Sequence, residues 1–63
     1  MTFNVKQVRI DANMSQTELA KKSNVSRGII SGLENGTITV TSTETLRKLA
    51  DALGKKVSDI FLD

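Results

Sequence analysis

The 63-residue chain contains neither cysteine nor histidine. Their absence excludes disulfides and argues against a structural zinc site, two staples on which small folds often depend. Below roughly 70–80 residues, a hydrophobic core alone rarely supplies more than about 3–5 kcal/mol. Two routes to stability remain: regular, well-capped helices, or a second protein chain. The length fits one domain. No apolar run approaches the ~20 residues of a membrane helix, and the N-terminus has no signal-peptide core. A cytoplasmic protein with no membrane partner is therefore expected.

The helical route is written into the punctuation. The spacing predicts a compact all-α fold of five helices. The first covers about Asn4–Asn13, with Val5, Val8 and Ala12 at helical spacing. "SQTE" has the pattern of a capping box, with Ser15 at the N-cap and Glu18 reaching back. That second helix runs to about Ser23, with Leu19 and Ala20 inward. Asn24 is one of the few non-glycine types that tolerate a left-handed turn. Val25 returns to the core, and Ser26 caps a third helix over Arg27–Asn35, which Gly36 terminates. "TITVTST" alternates like a strand but has no partner in the sequence. It is read as an ordered loop with Ile38 and Val40 tucked in. Ser42 or Thr43 caps a fourth helix over Thr43–Leu53, whose stripe is Leu46, Leu49, Ala50 and Leu53, closed by Gly54. A short fifth helix covers Val57–Phe61, capped near Lys56.

Helices two and three, joined by "KSNVS", have the makings of a helix-turn-helix. Such a crossing needs a small residue on the first helix (Ala20) and a residue tolerant of positive φ in the turn (Asn24). It also needs apolar anchors at fixed steps: Leu19, Val25, Ile30 and Leu33. The stretch "SRGIISGLENG" then poses a question, because each glycine in a helix interior costs about 1 kcal/mol relative to alanine. With Ile30 and Leu33 inward, Arg27, Gly28, Ser31 and Gly32 share the outer face. A helix in a major groove presents its N-terminal residues to base edges. Glycines there let the backbone come close, and Arg27 gains room to reach a guanine O6/N7 edge. The alternative for the two glycines is tight packing of another helix on that face, which a protein partner could also exploit.

The chain resembles the phage-repressor/Cro-type, or XRE-like, helix-turn-helix family in "VKQVRI", "SQTELAKKSNVSRGIISGLENG" and "TLRKLADALG". The resemblance implies a lambda-repressor-like five-helix domain. It implies base-facing roles for Arg27, Gly28, Ser31 and Gly32. It implies phosphate contacts from Ser15, Gln16 and Asn35, with Gln16 also bracing the reading residue, and with Ser26, Thr37 and Thr39 as further phosphate candidates. Arg9 and Glu34 match a mostly buried ion pair between the first and third helices. There are departures. Asn24 replaces the usual turn glycine, and Ser23 stands where an apolar residue is common. The loop from Thr37 to Thr41 is slightly longer than usual and holds no lysine or arginine. Its threonine hydroxyls and N–H groups remain available to phosphate.

The net charge is +2, and the whole excess lies in residues 1–40. That permits a polyanionic partner without requiring one. Lys21 and Lys22 are expected to be solvated. Val57, Ile60, Phe61 and Leu62 crowd apolar surface into the C-terminal end; some must cover the core, and the remainder is expected to form a homodimer interface. The expected function is sequence-specific binding of a double-stranded DNA operator by a dimer, with repression by steric block. Activation through contact with RNA polymerase is the alternative sign, as in the restriction-modification controller proteins that the chain resembles in size and layout. A rival of another class is an antitoxin-like or adaptor module that docks a protein on the same fold. An enzyme is not expected, since serines lack a base and no phosphate-binding glycine loop is present. No cofactor, metal or small-molecule ligand is expected.

Overall fold

Five helices follow one another in a computed structural model that describes residues 3–61. They are α1 (Val5–Asp11), α2 (Gln16–Ser23), α3 (Arg27–Asn35), α4 (Thr43–Leu53) and α5 (Val57–Ile60). The capping residues set their bounds. The Ser15 hydroxyl accepts from the Glu18 N–H, and the Glu18 carboxylate accepts from the Ser15 N–H, completing the capping box of α2. Ser26 and Ser42 accept from the Ile29 and Thr45 N–H groups at the starts of α3 and α4. Asn24 adopts φ +59° after α2, and Gly36 adopts φ +83° after α3. An L residue with a larger side chain would be strained at either position.

The first and last helices are shorter than their sequence patterns. α1 begins after Asn4 and ends before Asn13, which turns left-handed at φ +58° to start the reversal into α2. Ala12 follows α1 and is exposed, so the inward stripe stops at Val8. Phe61 leaves α5 in an extended conformation and pairs with Phe3 in an isolated antiparallel bridge. The Asn4 N–H donates to the Ile60 carbonyl at 2.8 Å, and the two phenyl rings stand 5.9 Å apart. The short α5 is thereby tied to the start of the chain.

Each helix contributes one residue with no solvent exposure: Val5, Leu19, Ile30, Leu49 and Ile60. Burying such a side chain fully contributes roughly 1.5–3 kcal/mol. Val8, Val25, Leu33, Leu46, Ala50, Ala52 and Leu53 complete the core around them. Ser23 is buried where an apolar residue was the pattern. Its hydroxyl donates to the Leu19 carbonyl at 2.6 Å and accepts from the Val25 N–H at 3.3 Å. The serine thus satisfies the turn's backbone locally, which removes the usual cost of a buried polar group.

Two apolar expectations fail. Val40 is 72% exposed, because the loop follows Ile38 inward and then leaves the surface of the core. Ile60, expected at a subunit interface, is completely buried within its own chain because α5 must plug the core. Val57 and Phe61 are half-buried against that same core. Leu62, also expected at the interface, lies outside the described residues. No helix among the described residues is long and apolar enough to cross a membrane.

Candidate nucleic-acid interface

The outer side of α3 is held in place from its inner side. Arg9 of α1 grips Glu34 of α3 through two parallel bonds, Nε to Oε2 at 2.8 Å and Nη2 to Oε1 at 3.0 Å. The side chains are 12% and 4% exposed, so the pair is largely dry. The remaining Arg9 Nη1 donates to the Met14 carbonyl at 2.8 Å, fixing the turn into α2. From the start of α2, the Gln16 amide donates to Glu34 Oε1 at 3.1 Å. Three helices therefore converge on one carboxylate. Burial alone would push the Glu34 carboxyl upward, but the bonds from Arg9 and Gln16 and the charges of Arg9 and Lys6 outweigh it. Glu34 thus titrates below the ordinary glutamate range. Its hydrogen bond in turn holds the Arg9 guanidinium charged against the cost of desolvation.

The fork geometry needs arginine, because a lysine could not make two coplanar bonds and a third to a carbonyl. Among the described residues no buried side-chain polar atom lacks a partner.

The expected contact residues are distributed unevenly. Arg27 and Gly28 are exposed at the start of α3, and Ser31, one turn on, is half-buried. A Cβ built on Gly28 would meet nothing within 4 Å, so the helix surface there is bare. Gly32 does not face outward as expected. It is buried, and a Cβ at that position would stand 2.5 Å from both Cγ1 and Cδ1 of Ile38. The Ile38 N–H donates to the Gly32 carbonyl at 2.9 Å, so the loop is clamped over this glycine. The packing alternative is correct for Gly32, with a loop rather than another helix as the covering element. Openness is correct for Gly28.

The expected phosphate contacts are also partly committed within the chain. The Ser15 N–H is taken by Glu18, so this residue offers no free backbone donor of its own. The Gln16 and Thr17 N–H groups lie in the first turn of α2, where no intrahelical acceptor exists. Gln16 is half-buried and donates one amide hydrogen to Glu34, which braces the site and leaves its second amide hydrogen uncommitted. Asn35 is exposed, but its carbonyl oxygen accepts from both the N–H and the hydroxyl of Thr37, at 2.9 and 2.6 Å. Ser26 caps α3, and Thr39 is exposed on the loop. Ile38 is tucked in as the sequence pattern suggests, but its seat on Gly32 was not foreseen. Its one signal was a loop carrying a large apolar residue that needs a small partner.

The helix-turn-helix family model matches residues 5–60, from the first residue of α1 to the last of α5. No curated protein matches the chain.

Proposed function

The chain belongs to the Cro/repressor-type helix-turn-helix family, a family of DNA-binding regulators, and from that premise we propose that it binds an operator as a homodimer and represses transcription. In this reading α3 enters the major groove. Arg27 reaches a guanine edge, Ser31 meets a base or phosphate, and bare Gly28 admits the backbone. Ser15, Ser26, Thr39 and the amide N–H groups of Asn35 ring the phosphates, while Thr37, with its N–H and hydroxyl both donated to the Asn35 side chain, holds Asn35 in place. Gln16 holds α2 to α3 while its first-turn neighbours offer N–H groups to an anion.

The observation that carries the reading is the contrast between the two sides of α3. Its inner side is welded to α1 and α2 through Glu34. Its outer side shows an exposed arginine beside an uncovered glycine. A face held rigidly but left bare is what close approach to a groove requires.

The molecule's dimensions set what such a dimer must do. Its extents are 24 × 22 × 19 Å, whereas successive major-groove half-sites lie about 34 Å apart. One copy cannot span two half-sites, so a dimer must carry its two α3 helices toward opposite ends. With Ile60 internal, the interface proposed at α5 draws on the half-exposed Val57 and Phe61, with Leu62 adjoining in sequence. Repression then needs only steric block. Activation would require a further contact with RNA polymerase.

Selection from a pool of duplexes with a random central segment tests the proposal. The expected result is an enriched pair of two-fold-related half-sites about 10 base pairs apart, with binding that weakens steeply as salt rises. Absence of enrichment at low salt would overturn it. Salt-insensitive capture of a protein on the same face would favour the docking module instead.

A further inference from the structure

We propose that Ile38 determines specificity: it supplies the side chain that Gly32 lacks and presents an apolar surface to the 5-methyl group of a thymine in the major groove. This rests on the DNA-binding reading above and names what one part of α3's outer face would recognise.

Position comes first. Gly28 and Gly32 are four residues apart, so they lie on one helical face. At Gly28 that face is open. At Gly32 it is filled by a residue from the following loop. The Cγ1 and Cδ1 atoms of Ile38 both lie 2.5 Å from the ideal Cβ position of Gly32. The far end of the isoleucine side chain therefore occupies the space where a side chain of residue 32 would start. The loop backbone holds it there, through the 2.9 Å bond from the Ile38 N–H to the Gly32 carbonyl. Ile38 is only half-buried, so part of it remains available for contact.

Chemistry then selects the ligand. Gly28 has no side chain and Ile38 has no hydrogen-bonding atom, so this stretch of the face cannot pair with a base edge. In the major groove every base presents donors or acceptors, and thymine alone adds a methyl group. An amino or carbonyl group pressed against Ile38 would lose its water without gaining a partner, which is costly. The same isoleucine thus favours thymine and disfavours cytosine at that position. Arg27, at the N-terminal end of α3, reads a different base.

The test uses a duplex enriched by the unaltered protein. Each thymine is replaced singly by deoxyuridine, which keeps the base pair and removes only the methyl group. One position is expected to weaken binding about fourfold, the effect of a single buried methyl-sized group. Ile38→Ala is expected to bind the thymine and deoxyuridine duplexes equally while keeping its preference at the position read by Arg27. The deoxyuridine comparison on the unaltered protein stands even if Ile38→Ala loosens the fold. An enriched duplex in which no thymine is methyl-sensitive would overturn the role of Ile38 and leave the DNA reading intact. So would an Ile38→Ala variant that retains the same sensitivity. Failure to enrich any duplex would overturn the DNA reading itself, and this inference with it.

Discussion

Replacing Glu34 with glutamine leaves the Arg9 guanidinium facing a neutral amide in a site where the native side chains are 12% and 4% exposed. Removing one member of a buried pair typically costs about 3–5 kcal/mol, because the other charge is stranded away from water. Glutamine keeps the shape and one acceptor oxygen, so the expected loss sits near the lower end, about 3 kcal/mol. At about 0.05–0.15 kcal/mol per residue, a chain of 63 residues has roughly 3–9 kcal/mol to lose. The variant should therefore be marginal at room temperature. Urea unfolding followed by circular dichroism measures this, with the midpoint falling sharply and the slope unchanged. The pH dependence supplies a second reading. The Glu34 carboxyl is held below its ordinary value. Its stabilising contribution is therefore fully present above about pH 4.3 and is lost as pH falls through the lower folded-state value. Glu34→Gln should lack that step. The joint replacement Arg9→Met with Glu34→Leu removes both charges and is expected to recover most of the loss. A loss under 1 kcal/mol in Glu34→Gln would place the pair with ordinary surface pairs and refute the reasoning.

The two glycines of α3 should respond oppositely to alanine. Gly28→Ala, with open space around its Cβ, should raise stability by about 0.5–1 kcal/mol in thermal or chemical melts. Gly32→Ala must displace Ile38, and overpacking of about 1–3 kcal/mol should outweigh the gain in helix propensity. Ser15→Ala removes the hydroxyl that accepts from the Glu18 N–H, while the backbone N–H at position 15 can still donate to Glu18, and should cost about 1 kcal/mol, visible as a lower urea midpoint. Arg27→Ala should leave the melting temperature unchanged but weaken binding to an enriched duplex by roughly tenfold to a hundredfold, measured by fluorescence anisotropy.

Much of the fold was legible because its signals are local. Ser15, Ser26, Asn24 and Gly36 act through their own φ/ψ values and through N–H groups a few residues away. α3 and α4 accordingly begin and end where the sequence pattern places them. The Arg9–Glu34 pair was expected through family resemblance. Its third partner, Gln16, expected through the same resemblance to grip a phosphate and brace the reading residue, donates one amide hydrogen to Glu34. What escaped depends on contacts between segments far apart in sequence. The seat of Ile38 on Gly32 and the Phe3–Phe61 bridge leave no periodic trace. Val40 illustrates the limit of alternation as a guide. Its pattern matches that of Ile38, yet only Ile38 finds a glycine beneath it, and Val40 faces solvent. The apolar C-terminal end was ambiguous for a related reason. Composition could not say whether Ile60 closes its own core or meets a second copy.

The central claim is that the outer face of α3 and the start of α2 form a surface for DNA. The most direct test is a ¹⁵N–¹H NMR titration of the protein with a mixed-sequence duplex at low salt, repeated at high salt. The account predicts that amides of Gln16, Thr17 and Arg27 to Asn35 shift at low salt, together with that of Ile38. Those shifts should fade as salt rises, while the amides of α5 stay still until a specific duplex brings two copies together. Unmoved amides along α3 at low salt, in a protein shown to be folded by the same spectrum, would contradict it.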